Sequence, residues 1–186
     1  MMKTIVLTIS LAITALVLTP PGIQHKRRSD SPKKSSQSSQ LTPQEAKKLV
    51  ELHNRIRAEV GVGPVTWSDE LAAFAQKWAD HLAKTSCELE HRPFSGEWEQ
   101  KYGESVFKGP SRFFGVEDAV KFWGSEKKNY RGQAIDSDTL SNSGHYTQLV
   151  WKATKQIGCA RTECKGEMLL VCNYDPAGNI IGEKPY

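Results

Sequence analysis

Glu126 and His145 are ionisable residues that lie beside apolar segments of the sequence. Imidazole and carboxylate groups of this kind serve proteins as metal ligands and as general bases. Glu126 follows Trp123 by three residues and Phe122 by four, so helical spacing places its carboxylate next to an apolar stripe. A carboxylate there needs a partner, unless its head group extends to the surface or pairs with a lysine. His145 stands where a polar loop is expected to enter an apolar segment, and a lone histidine at such a place is more often structural than catalytic.

A second imidazole and a second carboxylate lie earlier in the chain. His91 closes the segment Cys-Glu-Leu-Glu-His, and Glu104 lies in the segment Tyr-Gly-Glu-Ser. Neither segment is diagnostic by itself. The sequence contains no HExxH, GxSxG, phosphate-loop or dinucleotide pattern, which excludes the commonest hydrolase and kinase classes.

Three helices are predicted from apolar residues at helical spacing. The first begins at a capping box, Thr42-Pro43-Gln44-Glu45, and ends at the Gly- and Pro-containing residues 61–64. The second begins after Ser68, and its apolar stripe consists of Leu71, Ala75, Trp78, Ala79 and Leu82. The third covers about residues 116–128, and its predicted buried side consists of Val116, Ala119, Val120, Phe122 and Trp123.

The remaining elements are a loop and three strands. Residues 132–144 are rich in Gly, Ser, Asp and Asn, which predicts a loop. Strands are predicted at residues 156–163 and 167–174, joined by a turn at Lys165-Gly166, and one more near residues 103–108. Helices that flank an antiparallel sheet place the chain in the α+β class, as a sandwich.

The net charge of +4 is unevenly distributed along the 186 residues. Residues 1–40 carry a net charge of +5, and residues 41–186 carry a net charge of −1. The predicted domain is therefore nearly neutral, and a nucleic-acid-binding surface on it is not supported.

The N-terminal residues predict export. Lys3 precedes an uncharged, mostly apolar run over residues 4–18, which is short for a membrane span and typical of a signal-peptide core. We expect a signal peptide, or an uncleaved signal anchor, at residues 1–22, and a disordered basic Ser/Gln-rich linker at residues 23–40. Residues 41–186 form the predicted domain, which contacts a membrane only through the N-terminal segment if that segment is not removed.

Four cysteines fit an extracellular location, because disulfides persist in oxidising compartments. They are Cys87, Cys159, Cys164 and Cys172. Four cysteines allow three pairings, and a site of four zinc thiolates is the alternative, although no CxxC pair is present.

Several segments together resemble the CAP superfamily (cysteine-rich secretory, antigen 5 and pathogenesis-related class 1 proteins). GHYTQLVWKAT at residues 144–154 and LLVCNYDPAGNI at residues 169–180 are similar to its two signature segments. CELEH, YGES and FWGSEKKNY are similar to the segments that bear its first cleft histidine and its two cleft glutamates. The resemblance covers residues 41–186 and is strongest to the plant pathogenesis-related class 1 branch. The chain departs from that branch at Ser143, where a cysteine of a third bridge commonly stands.

The resemblance implies a three-layer α-β-α CAP sandwich with a central antiparallel sheet and two disulfides. It implies the pairings Cys87–Cys164 and Cys159–Cys172. It also implies a cleft that presents His91, Glu104, Glu126 and His145. These four residues would hold zinc or another divalent cation, which the fold itself does not require, or each glutamate would orient one histidine without metal.

The function that the resemblance implies is that of a secreted, non-enzymatic binding module for a sterol, a fatty acid or a cell-surface partner in a defence- or virulence-type role. The residues that we expect to contact lipid are Val106, Phe107, Phe113 and Phe114. One alternative is a metal-dependent hydrolase or protease that uses the His/Glu cleft, with Glu104 or Glu126 as general base. Another is a precursor of a C-terminal signalling peptide, residues 176–186, although this tail would otherwise simply wrap the sheet.

Overall fold

A computed structural model describes residues 40–186 of the chain. The signal segment predicted at residues 1–22, and all but the last residue of the linker predicted at 23–40, lie outside the described residues. Among the residues described, no helix is long and apolar enough to cross a membrane. The elements are α1 (Pro43–Ala58), β1 (Thr66–Trp67), α2 (Asp69–Lys84), β2 (Gly103–Pro110), α3 (Val116–Ser125), a 3₁₀ turn (Glu126–Asn129), α4 (Ser137–Leu149), β3 (Gln156–Cys164) and β4 (Glu167–Asp175).

The sheet has the strand order β1-β3-β4-β2. Its three long strands are antiparallel, as expected, and the two-residue strand β1 adds a parallel edge beside β3. Side chains of β4 alternate between two cores. Leu169 and Val171 pack against α2, whereas Met168 and Leu170 face the core that contains α1, α3 and α4. The predicted three-layer α-β-α sandwich is therefore confirmed.

The helix starts follow from local hydrogen bonds. The hydroxyl oxygen of Thr42 accepts a hydrogen bond from the backbone N–H of Glu45 (3.2 Å), and the Glu45 carboxylate accepts one from the backbone N–H of Thr42 (2.8 Å). At α2, the hydroxyl oxygen of Ser68 accepts a hydrogen bond from the backbone N–H of Leu71 (3.2 Å). Both predicted starts are confirmed, because each cap satisfies an N–H group that has no partner within its helix.

Three predictions from the sequence are wrong. The predicted loop at residues 132–144 is helical from Ser137, as the first part of α4, and the backbone of Ser143 (φ −148°, ψ 16°) kinks this helix. Phe122, expected on the buried side of the third helix, is 57% exposed. This helix also ends at Ser125, and only a 3₁₀ turn continues it.

The two disulfides join the sheet to itself and to a loop. Cys159 and Cys172 are directly opposite each other on β3 and β4, and Cys87, just after α2, is bonded to Cys164 at the end of β3. These are the pairings that the family resemblance implies. Each closed loop constrains the unfolded chain and contributes about 2–4 kcal/mol in the usual case. Ser143 is buried and donates its hydroxyl hydrogen bond to the carbonyl of Thr139 (2.9 Å).

The buried face of α1 carries a histidine. The Nδ1 atom of His53 lies 2.8 Å from the carbonyl oxygen of Leu49, and its Nε2 atom lies 3.1 Å from the hydroxyl of Tyr174. Burial lowers the pKa of His53 to about 4, because the charged imidazolium would lose its hydration. His53 is therefore a neutral core residue.

Candidate functional site

His91 and Glu104 form the first of two His–Glu pairs. His91 lies in the loop after α2, and Glu104 lies on β2, whose backbone holds the carboxylate inside the protein. Oε1 of Glu104 lies 2.9 Å from Nδ1 of His91 and accepts a hydrogen bond from the backbone N–H of Arg92 (3.0 Å). The Glu104 side chain is fully buried, whereas 55% of the His91 side chain is exposed. The buried carboxylate therefore orients an imidazole that faces solvent.

Arg92 compensates the buried charge of Glu104. Its Nε atom lies 3.7 Å from Oε2 of Glu104, and its guanidinium group lies 3.9 Å from the centre of the Phe74 ring. An Nη atom donates a hydrogen bond to the carbonyl of Phe74 (2.6 Å). Burial lowers the pKa of Arg92 below its ordinary value, and the neighbouring Glu104 offsets only part of this effect. Arg92 was not predicted from the sequence, where its only signal is its position directly after His91.

Glu126 and His145 form the second pair. Glu126 begins the 3₁₀ turn after α3, and its Oε1 lies 2.7 Å from Nδ1 of His145 in α4. Its Oε2 accepts hydrogen bonds from the backbone N–H groups of His145 (3.0 Å) and Tyr146 (3.2 Å). The ring of Trp123 is stacked on the imidazole, with ring centres 5.9 Å apart and planes 15° from parallel. The partner that the sequence required for Glu126 is therefore His145, which makes two of the three hydrogen bonds to this carboxylate.

The same tautomer follows for both histidines. Each carboxylate already accepts a backbone N–H bond, so it also serves as the acceptor toward the imidazole and Nδ1 is the donor. Among the described residues, neither Nε2 atom has a hydrogen-bond partner. In the neutral form of each ring, Nε2 then carries the lone pair through which histidine binds metal ions.

The two histidines line one cleft of about 430 Å³, together with Glu104 and part of the C-terminal segment. Glu126 is absent from the lining and lies behind His145, at the Nδ1 side of its ring. Within residues 40–186, no group of three or more His, Cys, Asp or Glu side chains is arranged to hold a metal ion. The residues present thus fit a metal only in part: two imidazoles are available as ligands, and the glutamates fit the role of groups that orient them.

Residues 176–186 form a C-terminal strap, of which Gly178 and Asn179 line the cleft. The Asn179 side chain donates a hydrogen bond to the carbonyl of Gly144 (2.8 Å) and accepts one from the hydroxyl of Thr147 (2.6 Å). These two bonds lie on either side of His145 in the chain. Near its end, the strap accepts a backbone hydrogen bond from Lys152 at the carbonyl of Pro185 (2.8 Å). Asn179 lines the cleft wall, a position that was not predicted from the sequence.

A separate apolar groove of about 540 Å³ runs beside α3. Three of the four residues expected to contact lipid line it: Val106, Phe107 and Phe114. The fourth, Phe113, is 68% exposed and is not part of the lining. Phe122 completes the groove, with its ring centre 6.1 Å from that of Phe107.

A larger groove of about 930 Å³ lies between α1, β1 and α2. Leu41, Val50 and Trp67 contribute to its apolar lining. None of the four His and Glu residues of the two pairs lines this groove. Despite its larger volume, it is therefore not part of the His–Glu site.

Comparisons with known proteins agree with this architecture. The model of the cysteine-rich secretory protein family (CAP) matches residues 50–174. Pathogenesis-related protein 1C of Nicotiana tabacum is 43% identical over 141 residues, which cover 74% of this chain and 78% of that protein. Pathogenesis-related protein PRMS of Zea mays is 44% identical over 149 residues, which cover 78% of this chain and 80% of that protein. The crystal structure of NaASP2 with Zn²⁺ shares the fold, with a TM-score of 0.69 and 23% identity, over 78% of this chain and 86% of that one.

Proposed function

Because the chain belongs to the CAP family of cysteine-rich secretory proteins, we propose that it acts outside the cell as a binding module for a hydrophobic ligand. The observation that carries the proposal is the apolar groove beside α3, where Phe122 is 57% and Phe114 is 40% exposed. Large aromatic side chains exposed in one groove favour a site for an apolar ligand over an ordinary surface. The two disulfides support an extracellular location, since such bridges persist where the environment is oxidising. The family relationship supports a defence-type role.

The His–Glu cleft supports a second property, the binding of a divalent cation such as zinc. His91 and His145 would hold the ion through Nε2, and Glu104 and Glu126 would keep both rings in the required tautomer. When bound, the ion would supply a positive charge and open positions for water or for a ligand oxygen. NaASP2, which has the same fold, was crystallised with Zn²⁺.

The carboxylate oxygens of Glu104 and Glu126 already have interaction partners, and this supports a binding role for the cleft rather than hydrolysis. A metal-dependent hydrolase needs a carboxylate that can take a proton from a bound water. Three of the four carboxylate oxygens already interact with N–H groups or imidazole nitrogens. The fourth, Oε2 of Glu104, is buried and lies closest to the guanidinium group of Arg92.

The hydrogen bonds of the strap likewise support a structural role for residues 176–186. A secreted fragment that begins at Pro176 would favour the peptide-precursor function instead. Mass spectrometry of the native culture medium or tissue fluid detects such a fragment directly.

Binding of labelled fatty acids and sterols to the purified, oxidised protein tests the proposal. We expect saturable binding that unlabelled ligand displaces and that Phe122→Ser weakens. Phe113→Ser is the matched control, because it removes a phenyl ring of comparable exposure (68% against 57% for Phe122) from outside the groove. Absence of saturable binding, or equal loss in the two variants, contradicts the proposed site.

A further inference from the structure

The apolar groove and the polar cleft meet at one side chain. His145 lines both of them, whereas His91 lines only the cleft. Phe107 and Phe122 lie in the same groove as His145. A ligand whose chain packs on these rings can therefore place its end group at the imidazole of His145.

In its neutral form, that imidazole offers a hydrogen-bond acceptor at Nε2. Its Nδ1–H points to the carboxylate of Glu126 (2.7 Å), and stacking on Trp123 fixes the plane of the ring. The side chain is 29% exposed, and Nε2 has no hydrogen-bond partner within residues 40–186. In the absence of a metal ion, the end group that fits a bare Nε2 lone pair is one that donates a hydrogen bond.

The charged residues of the groove do not favour the binding of an anionic ligand. Its two lysines already have carboxylate partners: Lys108 lies 3.0 Å from Glu88, and Lys121 lies 3.1 Å from Asp118. A carboxylate end group would bring a further acceptor to Nε2 and would lose its hydration without gaining a free cation.

From the proposed function of hydrophobic-ligand binding, on which this inference rests, we infer that the groove takes a single-chain amphiphile with a hydroxyl end group. The hydroxyl donates its hydrogen bond to Nε2 of His145, and the chain packs on Phe107, Phe114 and Phe122. The groove volume of about 540 Å³ lies within the range of small-molecule sites. His145 is thus the residue that selects the end group, and the phenyl rings select the apolar chain.

Three probes of equal chain length separate these contributions: dodecanol, its methyl ether and dodecanoate. Their affinities for the purified protein are measured by displacement of an environment-sensitive dye, in buffer with a metal chelator. We expect dodecanol to bind about three- to tenfold more tightly than the methyl ether, the usual net effect of one hydrogen bond. Dodecanoate should bind more weakly than dodecanol.

Two matched variants test the role of His145. His145→Asn keeps a side-chain N–H for Glu126 but removes the Nε2 acceptor, and we expect it to bind the alcohol and the ether equally well. His81→Asn makes the same change at a histidine that lines neither the groove nor the cleft, and it should retain the preference for the alcohol. Circular dichroism and a thermal melt of each variant verify that the fold is kept. Phe122→Ser, at an exposed position, should lower the affinity for the alcohol and the affinity for the ether by the same factor.

The outcomes distinguish the inference from the proposal beneath it. Three results would each overturn the inference that the ligand ends in a hydroxyl group. They are equal affinity for the alcohol and the ether in the unaltered protein, tighter binding of dodecanoate than of dodecanol, and a preference for the alcohol that survives in His145→Asn. In those cases lipid binding itself still stands. If none of the three probes binds, the proposed hydrophobic-ligand site fails as well.

Discussion

Replacing Glu126 by glutamine should weaken both the fold and the metal-binding capacity of the cleft. The carboxylate interacts with three nitrogen atoms at 2.7, 3.0 and 3.2 Å, two of them on His145. A glutamine amide has one oxygen, so its NH₂ group must face at least one of these N–H donors. Hydrogen bonds to charged groups contribute about 1.5–3 kcal/mol each. Loss of one bond and weakening of the others should lower the free energy of unfolding by about 2–4 kcal/mol.

The same substitution removes the group that fixes the tautomer of His145. Loss of a carboxylate behind a metal-binding histidine typically lowers metal affinity by roughly 10–100-fold. Urea denaturation measures the first effect, and calorimetric titration with Zn²⁺ measures the second. Glu99→Gln, at an exposed position, makes the same change in net charge and serves as the control. If Glu126→Gln unfolds at the same urea concentration as the parent protein and binds Zn²⁺ equally well, the carboxylate does not orient His145.

Three further predictions concern the core and the strap. The pKa of His53, about 4 when folded, lies below its unfolded value of about 6.5, so the unfolded chain binds the proton more tightly. The free energy of unfolding should therefore be at its full value above about pH 6.5 and fall by about 3 kcal/mol as the pH drops to about 4. In urea titrations across this range His53→Gln should lose this decrease, and parallel profiles for the two proteins would contradict it. Gly158→Ala should destabilise the protein by about 1–3 kcal/mol or more in the same assay, because the new methyl group meets the backbone of the first turn of α2, whereas Gly63→Ala, in open space, should be neutral. Asn179→Asp cannot donate to the carbonyl of Gly144, so hydrogen exchange of residues 176–186 should accelerate, and unchanged exchange would argue against this bond as the anchor of the strap.

Helix α4 illustrates where the sequence was insufficient for the fold. Its first eight residues, SDTLSNSG, have low helix propensity, and such residues usually indicate a loop. In the structure their side chains cap the helix or bond back to it: Asp136 accepts a hydrogen bond from the backbone N–H of Thr139, and Asn142 donates one to the carbonyl of Asp138. Burial of Thr139 and Ser143 then favours the helix through tertiary packing. By contrast, the capping box at Thr42, the start of α2 after Ser68 and the β3–β4 turn are local signals, and these predictions were confirmed.

The site followed from the sequence only in outline. Spacing placed Glu126 beside an apolar stripe, but its pairing with His145 depends on how α3 meets α4, which no local pattern encodes. Phe122 was assigned to the core because it is apolar and adjacent to Trp123, yet it is exposed in the groove. Periodicity cannot distinguish an apolar residue that faces a core from one that faces a ligand site.

The position of the strap has a consequence for how the protein is made. Asn179 follows every helix and strand of the described domain, and it holds the segment around His145 from both sides. On the ribosome, the helices and β3 are complete before this residue exists, so the cleft is the last part of the domain to assemble. Loss of residues 176–186 would remove Gly178 and Asn179 from the cleft wall, whereas a change ahead of α1 leaves that wall intact.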